Sequence, residues 1–183
     1  QEIIEAMKRN LVTIVIGIVL IVIFALLLFV FQVRKSEVAV VTRFGRVDRE
    51  KSEPGAYLRW PWPIENVYKL DQRIQNFSDK LTETLTADNN NLLTSVYVGW
   101  QITDAKTFFP KFAGGSVTVA ERMLEDVVTQ AKAAVVGKFR LDNFVNQNEK
   151  DLKFDEIETE IKALAQKQLQ DNNCGISIEF LGL

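Results

Sequence analysis

From Leu11 to Phe31 the chain passes through 21 positions without a charge, and only Thr13 and Gly17 among them are not strongly apolar. A helix of that length rises roughly 30 Å, the thickness of a hydrocarbon core. The many β-branched residues in the run, from Val12 to Ile23, are no obstacle in lipid, where an unbroken set of backbone hydrogen bonds decides the structure. Lys8 and Arg9 close one end and Arg34 and Lys35 the other, each able to extend its charged head toward headgroups. The run is long for a signal peptide, no A-x-A site follows it, and a core helix of this length would show a polar face. The expectation is an N-terminal flank at 1–10 and a single transmembrane helix at 11–31. Counting Lys8 and Arg9 against Arg34, Lys35, Arg43, Arg46 and Arg49, the positive-inside rule taken alone puts the C-terminal part in the cytoplasm.

The remaining 150 or so residues have the size of one ordinary domain or two small ones. Ser36 to Arg43 reads as a strand, with a turn at Gly45 and another at Pro54-Gly55. Pro61 and Pro63 forbid a central strand around Tyr57 to Trp62. A strand is expected over Lys80 to Thr86, before the polar turn Asp88 to Asn91, and the clearest one over Leu92 to Ile102, where apolar residues alternate through eleven positions. Asp104 to Phe109 reads as a short helix ending at Pro110. Thr118 to Glu121 has the spacing of a capping box, and an apolar stripe from Val119 to Val135 follows it to a stop at Gly137. A second stripe, through Phe154, Ile157, Ile161, Leu164 and Ala165, predicts a helix to about Leu169. A turn at Asn172 to Gly175 leads into a last strand with Ile176, Ile178 and Phe180. Strands, then two helices, then a strand make an α+β fold. The expected division is a first subdomain at 32–105, mostly strands, and a second at 106–183. So apolar a final strand suggests a longer chain continuing beyond it.

The composition excludes several chemistries. The chain has no His and one Cys, so His-based acid–base catalysis, His metal sites, a Ser-His-Asp triad and a disulfide framework cannot be built from it. Asp79, Glu83 and Asp88, and the Glu156, Glu158 and Glu160 series, show no distinctive pairing and read as solvated surface charge. Lys138 and Arg140 are too few for a nucleic-acid patch in a chain of net charge −2, and no phosphate-binding glycine motif occurs. Cys174 has no His to activate it. No catalytic residue, metal or cofactor is expected. Trp60 and Trp62, flanked by prolines, are of the type that favours headgroup regions, so Leu58, Trp60, Trp62 and Ile64 are candidates for a surface that rests on a membrane.

The stretch from Ser36 to Val47, with its Arg43-Phe44-Gly45, and the stretch Glu53-Pro54-Gly55 to Pro61 resemble the start of the SPFH (stomatin, prohibitin, flotillin, HflK/HflC) or band 7 domain. The likeness continues through Asn66 to Asp71 with Arg73, the turn Leu85 to Asp88 before Val96 to Ile102, and Val136-Gly137-Lys138. Within the family the layout is most similar to the bacterial HflC/HflK pair, and the short head before Leu11 favours the HflC-like side. The resemblance implies a non-enzymatic scaffold subunit that alternates with a paralogous HflK/HflC-like subunit in a ring or cage. That cage would enclose and modulate the membrane AAA protease FtsH, with membrane lipids as further partners and no nucleic acid. A stomatin- or prohibitin-like organiser of lipid microdomains is the alternative. The resemblance further implies a bacterial inner-membrane location with the N-terminus cytoplasmic and the SPFH domain periplasmic, opposite to the charge count, and a coiled coil beyond residue 183. Contacts between neighbouring subunits need both signs of charge, and 22 basic against 24 acidic residues supply them. The interface candidates are Arg43, Arg46, Lys69, Asp71 and Arg73.

Overall fold

The computed structural model describes the backbone of residues 2–183 and the side chains of 13–148 and 150–183; Gln1, in the expected flank, lies outside the described residues. The chain divides into two compact units, Gln1–Lys69 and Leu70–Leu183.

The first unit begins with helix α1, Glu2–Phe29. Its opening turns carry Glu2, Glu5, Lys8 and Arg9. At the other end the helix stops before Val30 and Phe31, which enter strand β1, Val30–Val33. This corrects the transmembrane helix expected at 11–31. Among the described residues no helix is long and apolar enough to cross a membrane. The single-pass inner-membrane topology, with a cytoplasmic N-terminus and a periplasmic domain, is withdrawn with it.

Strand β1 pairs antiparallel with β4, Gly55–Leu58, in the register Val30↔Leu58 to Val33↔Gly55. Strand β2, Glu37–Arg43, lies between β3, Arg46–Lys51, and β5, Glu65–Asp71, whose last two residues belong to the second unit. The β2–β3 hairpin turns through Phe44 and Gly45 at φ 48° and 82°. Two consecutive left-handed residues make the tight turn whose twist suits a hairpin, which is why the second is Gly. Phe31, Val33, Ala39 and Val41 form a buried cluster covered by Tyr57 and Val67.

The second unit is built on the antiparallel sheet β10-β9-β6, formed by Ile176–Gly182, Tyr97–Ile102 and Gln75–Ser78. A separate hairpin joins β7, Thr82–Leu85, to β8, Asn91–Thr94. Three helices complete it: α2, Ala105–Lys111, α3, Val117–Val136, and α4, Phe154–Asp171. Buried Leu124, Val128 and Val135 of α3, Ile157, Ile161 and Leu169 of α4, and Val98, Trp100 and Ile102 of β9 are the main apolar bulk. The α+β class therefore stands without the spanning helix. Two local expectations change. Helix α3 starts at Val117 behind Ser116, so Thr118 lies inside the first turn and is not the cap. Asp104, read as the first residue of the short helix, is instead the cap of α2, accepting the Thr107 backbone N–H at 3.1 Å, and the helix passes through Pro110 to Lys111.

Candidate interaction surface

The chemistry of the first unit converges on Glu65, at the start of β5, whose side chain is fully buried. A carboxylate removed from water needs a full set of donors, and three elements supply them. Arg43, closing β2, donates Nη2 to Oε1 at 2.8 Å; Arg49 of β3 donates Nη2 to Oε2 at 2.9 Å; and the Trp60 backbone N–H reaches Oε2 at 3.0 Å. Burial pushes the Glu65 carboxyl up, but the Arg43 hydrogen bond, the Trp60 N–H and the two guanidinium charges outweigh it and hold it below the usual value. The same Nη2 of Arg49 also donates to the Leu58 carbonyl at 3.1 Å. Glu65 thus ties the loop after β4 to the β2–β3 hairpin, and the Trp62-Pro63 peptide bond in that loop is cis.

What this anchor displays is an aromatic surface. Leu58, Trp60 and Trp62 are exposed, Trp62 by 78%, and Phe44 at the hairpin tip is exposed as well; Ile64 is half-buried. The Ile64 carbonyl accepts the Phe44 N–H at 3.1 Å, which joins the hairpin turn to the loop.

The charged candidates separate into two kinds. Arg43 is committed to Glu65, with Asp48 at 3.8 Å, and its proton is held more firmly as a result, chiefly by the hydrogen bond to Glu65. Asp71 and Arg73 pair with each other at 2.6 Å, which lowers the Asp71 carboxyl, and Lys69 lies 3.8 Å from Glu37. Arg46 is exposed and in no ion pair among the described residues.

In the second unit, Asp79 overturns the reading of solvated surface charge at its position. It is buried against Lys132 of α3, which is itself fully buried. Thr129 donates to Asp79 Oδ1 at 3.2 Å, and Lys132 Nζ also donates to the Thr94 carbonyl at 3.2 Å. Lys132 had a signal in the sequence, standing between Val128 and Val135 on the apolar stripe of α3, whereas no spacing connected Glu65 with Arg43 and Arg49. Among the described residues no group of His, Cys, Asp or Glu could hold a metal ion. Burial raises the Cys174 thiol, against the opposing charge and hydrogen bond of Lys111.

A sheet-and-helix chain with this hairpin belongs to a defined class: residues 31–181 match the SPFH domain / Band 7 family, and the chain belongs to that family. Its relatives narrow the likeness. It is 29% identical over 140 residues to the modulator of FtsH protease HflC of Escherichia coli strain K12, covering 73% of this chain and 42% of the relative. It is 28% identical to protein HflC of Vibrio cholerae, over 70% of this chain and 41% of that protein, and 29% identical to protein HflC of Vibrio parahaemolyticus, over 78% and 47%. The chain spans less than half the length of these curated relatives. Family and relatives together mark an SPFH-domain chain of the HflC-like kind.

Proposed function

We propose that this chain is an HflC-like scaffold subunit that assembles with a paralogous SPFH subunit into a ring or cage and, through it, modulates an FtsH-like AAA protease. The observation that carries the reading is the family match through both units, 31–181, together with relatives named as FtsH modulators. Subunit contacts use the mixed charges of Arg43, Arg46, Lys69, Asp71 and Arg73. Arg46 is the most available of them, because the others already face a partner within the chain. The test is co-expression with the paralogue and the protease, followed by copurification on a tag carried by this chain. Both partners should be retained, and Arg46→Glu should reduce the yield of the complex; recovery of this chain alone as a monomer would overturn the proposal.

The exposed loop adds a second contact. Leu58, Trp60 and Trp62 present their side chains to lipid headgroups, with Ile64 behind them, as their exposure on a loop fixed by Glu65 supports. Quenchers placed at headgroup depth in vesicles should dim the fluorescence of Trp62; unaltered emission would remove the lipid contact.

A further inference from the structure

The end of α1, strand β3 and the loop after β4 enclose a cleft of about 350 Å³, lined by Phe29, Arg49, Leu58, Arg59 and Trp60. We propose that this cleft binds the phosphate of an acidic glycerophospholipid, with Arg59 and Arg49 facing the phosphate and Phe29, Leu58 and Trp60 covering the adjoining glycerol and acyl carbons. The proposal rests on the lipid contact of the loop and gives it a headgroup preference.

Three observations support the assignment. The first is an unmet donor: Arg59 Nε is buried and has no hydrogen-bond partner among the described residues. Such a group costs stability unless an acceptor arrives, and a phosphate oxygen is the acceptor that suits a guanidinium best. The second is the local charge. Arg43 and Arg49 are matched by Glu65 and Asp48, whereas Arg59 is in no ion pair among the described residues, so the cleft keeps one positive charge over. The third is the framework. The Arg59 backbone N–H donates to the Phe29 carbonyl at 2.7 Å, and Arg49 is held by Glu65 and by the Leu58 carbonyl. The Arg49 guanidinium and the Arg59 backbone are therefore positioned before any ligand enters, which limits the entropy lost on binding.

The mixture of walls selects the ligand class. A free phosphate would satisfy Arg59 but leave Leu58 and Trp60, 73% and 55% exposed, in water. A neutral apolar ligand would cover them and leave the Arg59 donor unmet. An anionic phosphodiester carrying acyl chains does both.

The experiment uses the whole chain in a nonionic detergent, with Trp62→Phe so that Trp60 reports on the cleft while Trp100 stays buried. Short-chain phosphatidylglycerol, the phosphatidylcholine of the same chain length and inorganic phosphate are titrated separately. Saturable change with phosphatidylglycerol is expected, and at least about tenfold weaker binding of the other two. Arg59→Gln should weaken phosphatidylglycerol binding about tenfold, the worth of one charge-assisted hydrogen bond, while Arg140→Gln, the same charge change elsewhere, should not. Leu58→Asp, at an exposed site that tolerates a polar residue, should weaken it as well and serves if Arg59→Gln does not fold. Equal binding of inorganic phosphate or of phosphatidylcholine, or equal affinity of the Arg59→Gln and Arg140→Gln chains, would overturn the site. Headgroup quenching of Trp62 in the chain with Arg59→Gln alone reads the loop's lipid contact separately: if it persists while selectivity never existed, only the cleft has failed.

Discussion

Replacing Lys132 by Met probes the most deeply buried charge in the second unit. Lys132 is 0% exposed and the Asp79 side chain 1%. Met has nearly the length of the lysine stem and fills its space without a charge, so the change removes the cation and leaves the rest of the packing in place. The Asp79 carboxylate then keeps only the Thr129 hydroxyl, on Oδ1, and the Thr94 carbonyl loses its Lys132 donor. Stranding one partner of a buried pair costs about 3–5 kcal/mol, which is a large part of the 5–15 kcal/mol that separates folded from unfolded domains. With a urea dependence of about 2 kcal/mol per molar, the unfolding midpoint should fall by about 1.5–2.5 M, read by the fluorescence of buried Trp100. The double variant Lys132→Met/Asp79→Asn removes both charges and should recover most of the loss, because a neutral amide still accepts from Thr129. Coupling of about 2–3 kcal/mol between the two sites is expected. A midpoint shift under about 0.5 M, or single-variant costs that simply add, would refute the claim that the pair is desolvated and mutually dependent.

Other perturbations have equally definite outcomes. Gly175 has φ +68°, and a Cβ there would lie 2.4 Å from the Asp104 carbonyl oxygen, so Gly175→Ala should cost about 2–4 kcal/mol; Gly45→Ala, with φ +82° and open space around it, should cost about 1–2 kcal/mol by the same urea titration. Because the folded Glu65 carboxyl lies below its ordinary value of 4.5, its contribution is complete above that pH and is lost as pH falls through the folded value. Glu65→Gln should therefore flatten the acid limb of a stability–pH profile and cost about 2–3 kcal/mol at neutral pH, less than a fully buried pair because Arg43 and Arg49 are partly solvated. The Cys174 thiol, buried and raised, should react with a thiol reagent only as fast as the second unit opens, and promptly in urea; fast labelling of the native chain would contradict its burial.

Of the period-two pattern from Leu92 to Ile102, Thr94, Val96, Val98, Trp100 and Ile102 are buried, while Leu92 is only half-buried. The pattern could not show that the run is two strands. β8 pairs with β7 while β9 pairs with β6 and β10, and the chain passes between the two sheets at Ser95-Val96 without breaking the alternation. Alternation reports burial and not pairing partners. The helix ends at Gly137 and before Gly175 were legible for a local reason, because turn chemistry resides in the residues that turn. The 11–31 run misled for the opposite reason. Hydropathy alone does not distinguish apolar helix from apolar strand, and Val30 and Phe31 are taken by Leu58 and Tyr57 across a β-ladder that no local signal announces. Of the candidate surface, the aromatic residues were visible from their proline setting. The buried carboxylate that orients them was not, since Arg43, Arg49 and Glu65 meet only through the fold.

The proposed scaffold role requires this chain to be a repeating part of an assembly. Electron-microscopic imaging of particles purified after co-expression with a paralogous SPFH subunit and an FtsH-like protease tests it most directly. Closed rings or cages in which this chain alternates with the paralogue around the protease are the expected result. Dispersed single subunits, with the protease absent from every particle, would contradict it.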